Sequence, residues 1–147
     1  MNIKRARGFT LLELLLSIAI ISSLAGLSLP VYRQFQIKND VEVAAATTAQ
    51  TLRRAQTLSQ SVQLDDTWGV YVQSGSITLF VGPSYAGRDA SYDELFDVPT
   101  TISRSGLQEI VFDRLTGEPQ VTGSITFTSV LGDTQTVILN DKGTVSY

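Results

Sequence analysis

The chain has 147 residues, enough for one domain with a modest core. It contains neither cysteine nor histidine, which excludes disulfides, thiol chemistry, cysteine-ligated metals and histidine-based catalysis. The formal net charge is −3, from 11 basic and 14 acidic side chains. Three basic residues precede Phe9, so the rest of the chain is distinctly acidic, and nucleic acid is not expected as the main partner of the folded part: Lys4, Arg5 and Arg7.

A long apolar segment follows these basic residues. From Phe9 to Leu29 the only charged side chain is Glu13. About 20 such residues in a helix span the roughly 30 Å hydrocarbon core of a bilayer. Basic residues ahead of a span favour a cytoplasmic N-terminus, and no second apolar run of this length follows. The sequence predicts one membrane span with the C-terminal part on the outside.

The apolar segment has more than one interpretation. An ordinary secretory signal would be cleaved near the small residues Ser23 and Ala25. A simple membrane anchor would fit the length equally well. Both leave Glu13 unexplained, because a carboxylate inside a membrane is rare and costly and by default marks a functional site.

The stretch "RGFTLLELLLSIAII" resembles the class III signal of type IV pilins and type II secretion pseudopilins. The resemblance runs from Lys4 to about Tyr32 and rests on the basic leader, Gly8–Phe9, Thr10 and Glu13. It implies that a prepilin peptidase cuts between Gly8 and Phe9 on the cytoplasmic side. It also implies methylation of the new amine at Phe9 and retention of the helix.

Glu13 gains a role from the same resemblance. In the family, the glutamate of an incoming subunit pairs with the N-terminal amine of a neighbour already in the filament, which implies a role for Glu13 in assembly. Such a pair would offset desolvation of both charges and set the register between subunits. The alternative is that Glu13 pairs with the Phe9 amine of its own chain and only positions the helix.

The predicted organisation has four parts: a leader at 1–8, a transmembrane helix at 9–30, the outer half of the same helix at 31–62, and a β-rich globular domain at 63–147. In the outer half, apolar residues recur every three or four positions and predict a buried stripe: Val41, Ala45, Ala49, Leu52, Ala55 and Leu58. Arg53 and Arg54 fall on other faces and form either a solvated face or a partner contact, and the solvated face is favoured.

After Asp65 the period changes to alternation, which predicts five or six short strands and two hairpins, one across Gln73–Gly75 and one across "LGD". One long helix followed by an antiparallel sheet is an α+β arrangement, and the resemblance implies the pilin fold. The large aromatic residues of this part are predicted to lie in its core: Trp68, Phe80, Phe112 and Phe127.

The segment 82–97 is predicted to be a non-periodic loop rich in acids. Its acids could suggest calcium, but their spacing does not match the EF-hand loop, and a solvated acidic loop is favoured. They are Asp89, Asp93, Glu94 and Asp97.

The C-terminal stretches "IVFDRLTGEPQVTGSITF" and "TVILNDKGTVSY" resemble the H-type minor pseudopilin and FimT-like minor pilins. The chain lacks the cysteine pair of the familiar major pilins, and it has the glutamate that the tip pseudopilin typically lacks. The resemblance therefore implies an interior or subterminal minor subunit. Its implied partners are other subunits, the prepilin peptidase and an inner-membrane assembly platform, and its implied locations are the cytoplasmic membrane and then a filament.

A DNA-binding minor pilin for DNA uptake is the alternative function. The basic residues of the outer part are scattered among more numerous acids and predict no phosphate-tracking patch: Arg88, Arg104, Arg114 and Lys142. An enzyme is not expected, because the sequence has no glycine-rich phosphate loop and no nucleophile elbow. No cofactor or metal is expected either.

Overall fold

The computed structural model of the chain describes residues 8–147, without the side chains of residues 27–31. Residues 1–7, which include the basic residues of the predicted leader, lie outside this part. The structure therefore describes only the last residue of the predicted leader, Gly8. The chain divides into two compact units, residues 1–36 and 37–147. The helix α1 (Leu11–Gln60) has residues in both units. Within the residues whose side chains are described, no helix offers a run long and apolar enough to cross a membrane. The predicted span over 9–30 stays a prediction.

In the second unit, one face of α1 is buried and forms a large part of the core. The predicted stripe is confirmed, with Leu58 partly buried and the other five residues fully buried. Alanine at three of these positions allows the sheets to approach the helix axis closely. Two buried hydroxyls on the same helix, Thr48 and Thr51, each donate to the carbonyl four residues earlier at 2.8 Å. Neither hydroxyl is therefore buried without a partner.

A short 3₁₀ helix (Gln63–Asp65) follows α1, and within residues 8–147 eight strands follow it. They are β1 (Trp68–Gln73), β2 (Ser76–Val81), β3 (Asp89–Asp97), β4 (Ser103–Gly106), β5 (Glu109–Phe112), β6 (Gly123–Thr128), β7 (Thr134–Leu139) and β8 (Val145–Ser146). They form two antiparallel sheets in the orders β3-β2-β1-β5 and β4-β6-β7-β8. The fold is α+β, a long N-terminal helix packed on a C-terminal antiparallel β domain, as predicted.

Both predicted hairpins are present. In the first, Gln73 pairs with Ser76 around a two-residue turn in which Gly75 has φ +95°. A positive φ there suits glycine, which has no Cβ to clash with the backbone. In the second, Thr128 pairs with Thr134 around the "LGD" segment.

The prediction of a loop over 82–97 is wrong for its second half, and the predicted count of five or six strands is too low. Residues Asp89–Asp97 form β3, an edge strand paired with β2, and Ser103–Gly106 form β4, an edge strand of the other sheet. An edge strand buries little of either face, and most side chains of β3 are exposed. Hydrophobic alternation is therefore absent, and backbone pairing to a buried neighbour determines the strand.

The predicted core aromatics are all buried, but they lie on two different surfaces. Trp68, Phe112 and Phe127 belong to the core beneath α1. Phe80 lies on the opposite face of the first sheet, where a Cβ at Gly69 would overlap its ring. The segment after β2 covers this outer face, because Tyr85 stacks on Tyr71 with ring centroids 3.8 Å apart.

Candidate functional site

The start of α1 is capped by the residues that carry the sequence motif. The Thr10 hydroxyl accepts the N–H of Glu13 at 3.2 Å, and the Thr10 carbonyl accepts the N–H of Leu14 at 3.1 Å. Thr10 is thus the N-cap, and Glu13 sits in the first turn, where the helix dipole favours a negative charge. Analysis of the sequence missed this cap, although threonine followed three residues later by glutamate is the spacing of a capping box.

The predicted cleavage pair lies directly before this cap. Gly8 and Phe9 are exposed and non-helical, and the Phe9 side chain is 81% exposed. Thr10 comes after the predicted cut, so cleavage between Gly8 and Phe9 would leave the N-cap on the mature chain. The structure therefore places the three predicted site residues within one short segment at the beginning of α1.

The part of α1 that follows the cap, residues 11–24, has large apolar side chains on every side, and these side chains are exposed. More than half of the surface of each large side chain is exposed: Leu11, Leu12, Leu14, Leu15, Leu16, Ile18, Ile20, Ile21 and Leu24. The hydroxyls of Ser17 and Ser23 donate to the carbonyls of Glu13 and Ala19 at 2.7 and 2.8 Å. These hydrogen bonds within the helix satisfy the two donors without a water molecule. A helix that is apolar all round is normally covered by lipid or by other helices.

Residues 3–29 match the family model of the prokaryotic N-terminal methylation motif. The match includes Gly8, Phe9 and Glu13 and ends before the second unit begins. The chain therefore carries a prepilin-type methylation motif, which supports a relationship to type IV pilins and pseudopilins in general. It also points to a structural subunit, and membership of that family would imply processing by a prepilin peptidase and assembly with other subunits. No solved structure matches the chain.

The basic residues that were named for DNA binding have partners inside the second unit. Arg88 lies 2.8 Å from a carboxylate oxygen of Asp93, and this hydrogen bond raises the pKa of the Arg88 guanidinium. Its guanidinium also lies 3.8 Å from the centre of the Tyr85 ring. Lys142 pairs with Glu118 at 2.8 Å, and that hydrogen bond raises the pKa of the lysine.

Two further arginines from the predicted basic set also have internal partners. Arg114 pairs with Asp65, and Arg104 donates to the carbonyl of Gly106 at 3.1 Å. These contacts leave the guanidinium groups distributed over separate parts of the surface.

Arg53 and Arg54 are exposed, as the favoured interpretation of a solvated face predicted, but each also makes a contact with a sheet. Arg53 donates to the carbonyl of Val145 at 2.8 Å, and Arg54 pairs with Glu94 of β3 at 2.6 Å. Each arginine therefore connects α1 to a different sheet. The amphipathic pattern could not show this, because the sheet edges that receive the side chains are far away in sequence.

The acids of 89–97 are engaged separately. Asp89 accepts the N–H and the hydroxyl of Ser91 at 3.0 and 2.6 Å, and the hydroxyl contact lowers the pKa of Asp89. Asp93 and Glu94 face two different arginines. Among the described residues, no three acids are grouped so that they could hold a metal ion.

Proposed function

We propose that this chain is a minor structural subunit of a type IV pilus or a type II secretion pseudopilus. One observation carries the proposal: the methylation motif over 3–29 coincides with the capped first part of α1, where residues 11–24 expose apolar side chains and hold Glu13 as their one acid. The motif provides the processing signal, and the helix provides a surface that only lipid or other helices can cover. The precursor would be held in the cytoplasmic membrane by residues 9–30, with its N-terminus inside.

Cleavage between Gly8 and Phe9 would create a positive amine at the N-terminal end of α1. The helix dipole disfavours a cation at that end, and apolar surroundings disfavour it further. The carboxylate of Glu13 is likewise costly in apolar surroundings without a partner. An ion pair between the Glu13 carboxylate of one subunit and the Phe9 amine of its neighbour would reduce both costs. The pair would also fix the axial stagger between the two subunits.

The minor subtype is supported by the two glycine turns of the C-terminal stretches. Gly117 and Gly143 have positive φ, and the side chain of Gln56 donates to the carbonyls of Gly117 and Lys142, both at 3.0 Å. The glycine turns of these two C-terminal stretches therefore pack against α1. Further support comes from the absence of the cysteine pair of major pilins.

The alternative of a DNA-binding minor pilin has less support. The basic residues named for it each have an internal acid or carbonyl partner, so binding phosphates would require breaking those contacts. The acidic balance of the chain beyond Phe9 also opposes association with a polyanion. The observations favour assembly over DNA uptake by this chain itself.

The test is filament incorporation of Glu13→Gln in cells that hold the complete assembly machinery. We expect normal leader removal and membrane insertion, and at least about a tenfold drop in the subunit recovered from sheared filaments, because one charge of a buried pair is lost. Glu42→Gln is the matched control, since Glu42 is an exposed acid on the same helix in the second unit. Wild-type incorporation of Glu13→Gln would refute the intersubunit role.

A further inference from the structure

The end of α1 has an unusually strained backbone. Within residues 8–147, the non-glycine residues with positive φ are Val62 (55°), Leu64 (61°), Asp65 (56°) and Leu115 (75°). Left-handed backbone is disfavoured by the Cβ of ordinary residues, and most of all by β-branched ones such as valine. Such outliers cluster at functional sites when the surrounding structure holds them in place.

These outliers belong to one place on the surface, although they come from two segments. The Arg114 guanidinium binds the Asp65 carboxylate and also donates to the Asp65 carbonyl at 3.1 Å. The N–H of Leu115 donates to the carbonyl of Ser59, near the last turn of α1, at 3.1 Å. The chain after α1 and the turn after β5 are therefore fastened to each other.

The strained positions display apolar side chains to solvent. Leu64 is 48% exposed and Leu115 is 66% exposed, and they adjoin the two partners of the same ion pair. We name residues 62–65 together with 113–115 the strained tip. The backbone of these positions does not require leucine, because asparagine or glycine would adopt the same φ at lower cost.

We propose that the strained tip is a docking surface for the globular domain of a neighbouring filament subunit. This inference rests on the proposed function and extends it by assigning a face and a partner. Two leucines held in fixed directions fit an apolar recess on another protein, where their burial would repay the strain.

Charge indicates the chemistry of that partner. Asp113 belongs to the strained tip and Asp66 directly follows its first segment, and Asp65, whose side chain is 83% exposed, reaches solvent while it pairs with Arg114. Carboxylates around an apolar centre oppose binding to anionic lipid or to nucleic acid. They complement a recess rimmed by lysine or arginine on another protein.

The test uses a substitution that relieves strain and removes the proposed contact at once. The full-length double variant Leu64→Asn/Leu115→Asn keeps the left-handed backbone, which asparagine tolerates well. We expect its melting temperature in detergent to equal or exceed that of the wild type. We expect its recovery in sheared filaments to fall at least about tenfold, because two leucines lose their burial against the partner.

The matched control is Leu95→Asn/Leu131→Asn, which removes two leucines that are 63% and 54% exposed at positions without positive φ. The proposal predicts normal incorporation of this control. It is overturned if the tip variant enters filaments as the wild type does, or if both double variants lose incorporation equally. Failure of the processed wild-type chain to enter filaments at all would overturn the proposed function, and the docking surface with it.

Discussion

The two parts of α1 use the same backbone for opposite purposes. In residues 11–24 the large apolar side chains are exposed in all directions, and the described structure covers none of them. In residues 41–59 most apolar side chains lie on one face, which is buried against two sheets, and Val43 is an exposed exception. The second part has its partners within the chain, whereas the proposed function gives the first part partners outside it.

This difference shows that hydrophobicity alone does not identify a core helix. The buried face of the second part consists mainly of alanine and threonine with one valine and one leucine, and it contributes to the core of the domain. The first part is richer in leucine and isoleucine, yet these side chains are exposed in the described structure. Matched substitutions in the two parts should therefore have very different effects on the stability of the domain.

The largest expected difference is between two leucine truncations. Leu52→Ala removes a side chain with no exposed surface and leaves a cavity in the core, so the free energy of unfolding should fall by about 2–5 kcal/mol. Leu16→Ala removes a side chain that is 61% exposed and should change the free energy of unfolding by less than about 0.5 kcal/mol. Chemical unfolding of the full chain in detergent, followed by the fluorescence of Trp68, measures both. Equal losses would contradict the separation of roles.

A smaller difference is expected for two serines that both donate to backbone carbonyls. Ser59 is buried, donates to the carbonyl of Phe112 at 3.2 Å and accepts the N–H of Trp68 at 3.0 Å. Ser59→Ala leaves both buried groups without that partner and should cost about 1–3 kcal/mol.

Ser17→Ala is the control, because Ser17 is exposed and only donates to a carbonyl within its own helix. Its effect on the unfolding free energy should be close to zero. The same unfolding measurement applies to both serine variants. If Ser59→Ala proved as neutral as the control, the hydroxyl would not join α1 to β1 and β5 as described.

The smallest expected effect concerns one acid of the second unit. Asp89 of the second unit has a lowered pKa because it accepts hydrogen bonds from the hydroxyl and the N–H of Ser91. A lowered folded-state pKa adds stability above the ordinary aspartate pKa, and that stability is lost as the pH falls through the folded-state value. Ser91→Ala should therefore raise the pKa of Asp89 towards its ordinary value. NMR titration of the Asp89 carboxyl in the wild-type and Ser91→Ala proteins would measure this rise. An unchanged titration of Asp89 would contradict the role of Ser91.

Several features of the domain were predictable from the sequence, and the reason differs for each. The apolar, turn-bounded runs identified β1, β2, β6 and β7, each of which places side chains in the core. This pattern failed for β3 and β4, because edge strands bury little of either face. The threonine–glutamate cap was not predicted, although its spacing carries the signal. The strained tip was not predictable, because leucine and valine are residues that normally avoid positive φ, and only tertiary contacts hold them there.

The most direct test of the account is the intact mass and N-terminal sequence of the chain isolated from membranes of cells with a prepilin peptidase. The account predicts a mature protein that lacks residues 1–8 and begins with an N-methylated Phe9. That result would place the amine one turn before Glu13, as the proposed subunit contact requires. A chain that still begins at Met1, or one that begins after Ser23 or Ala25, would contradict it.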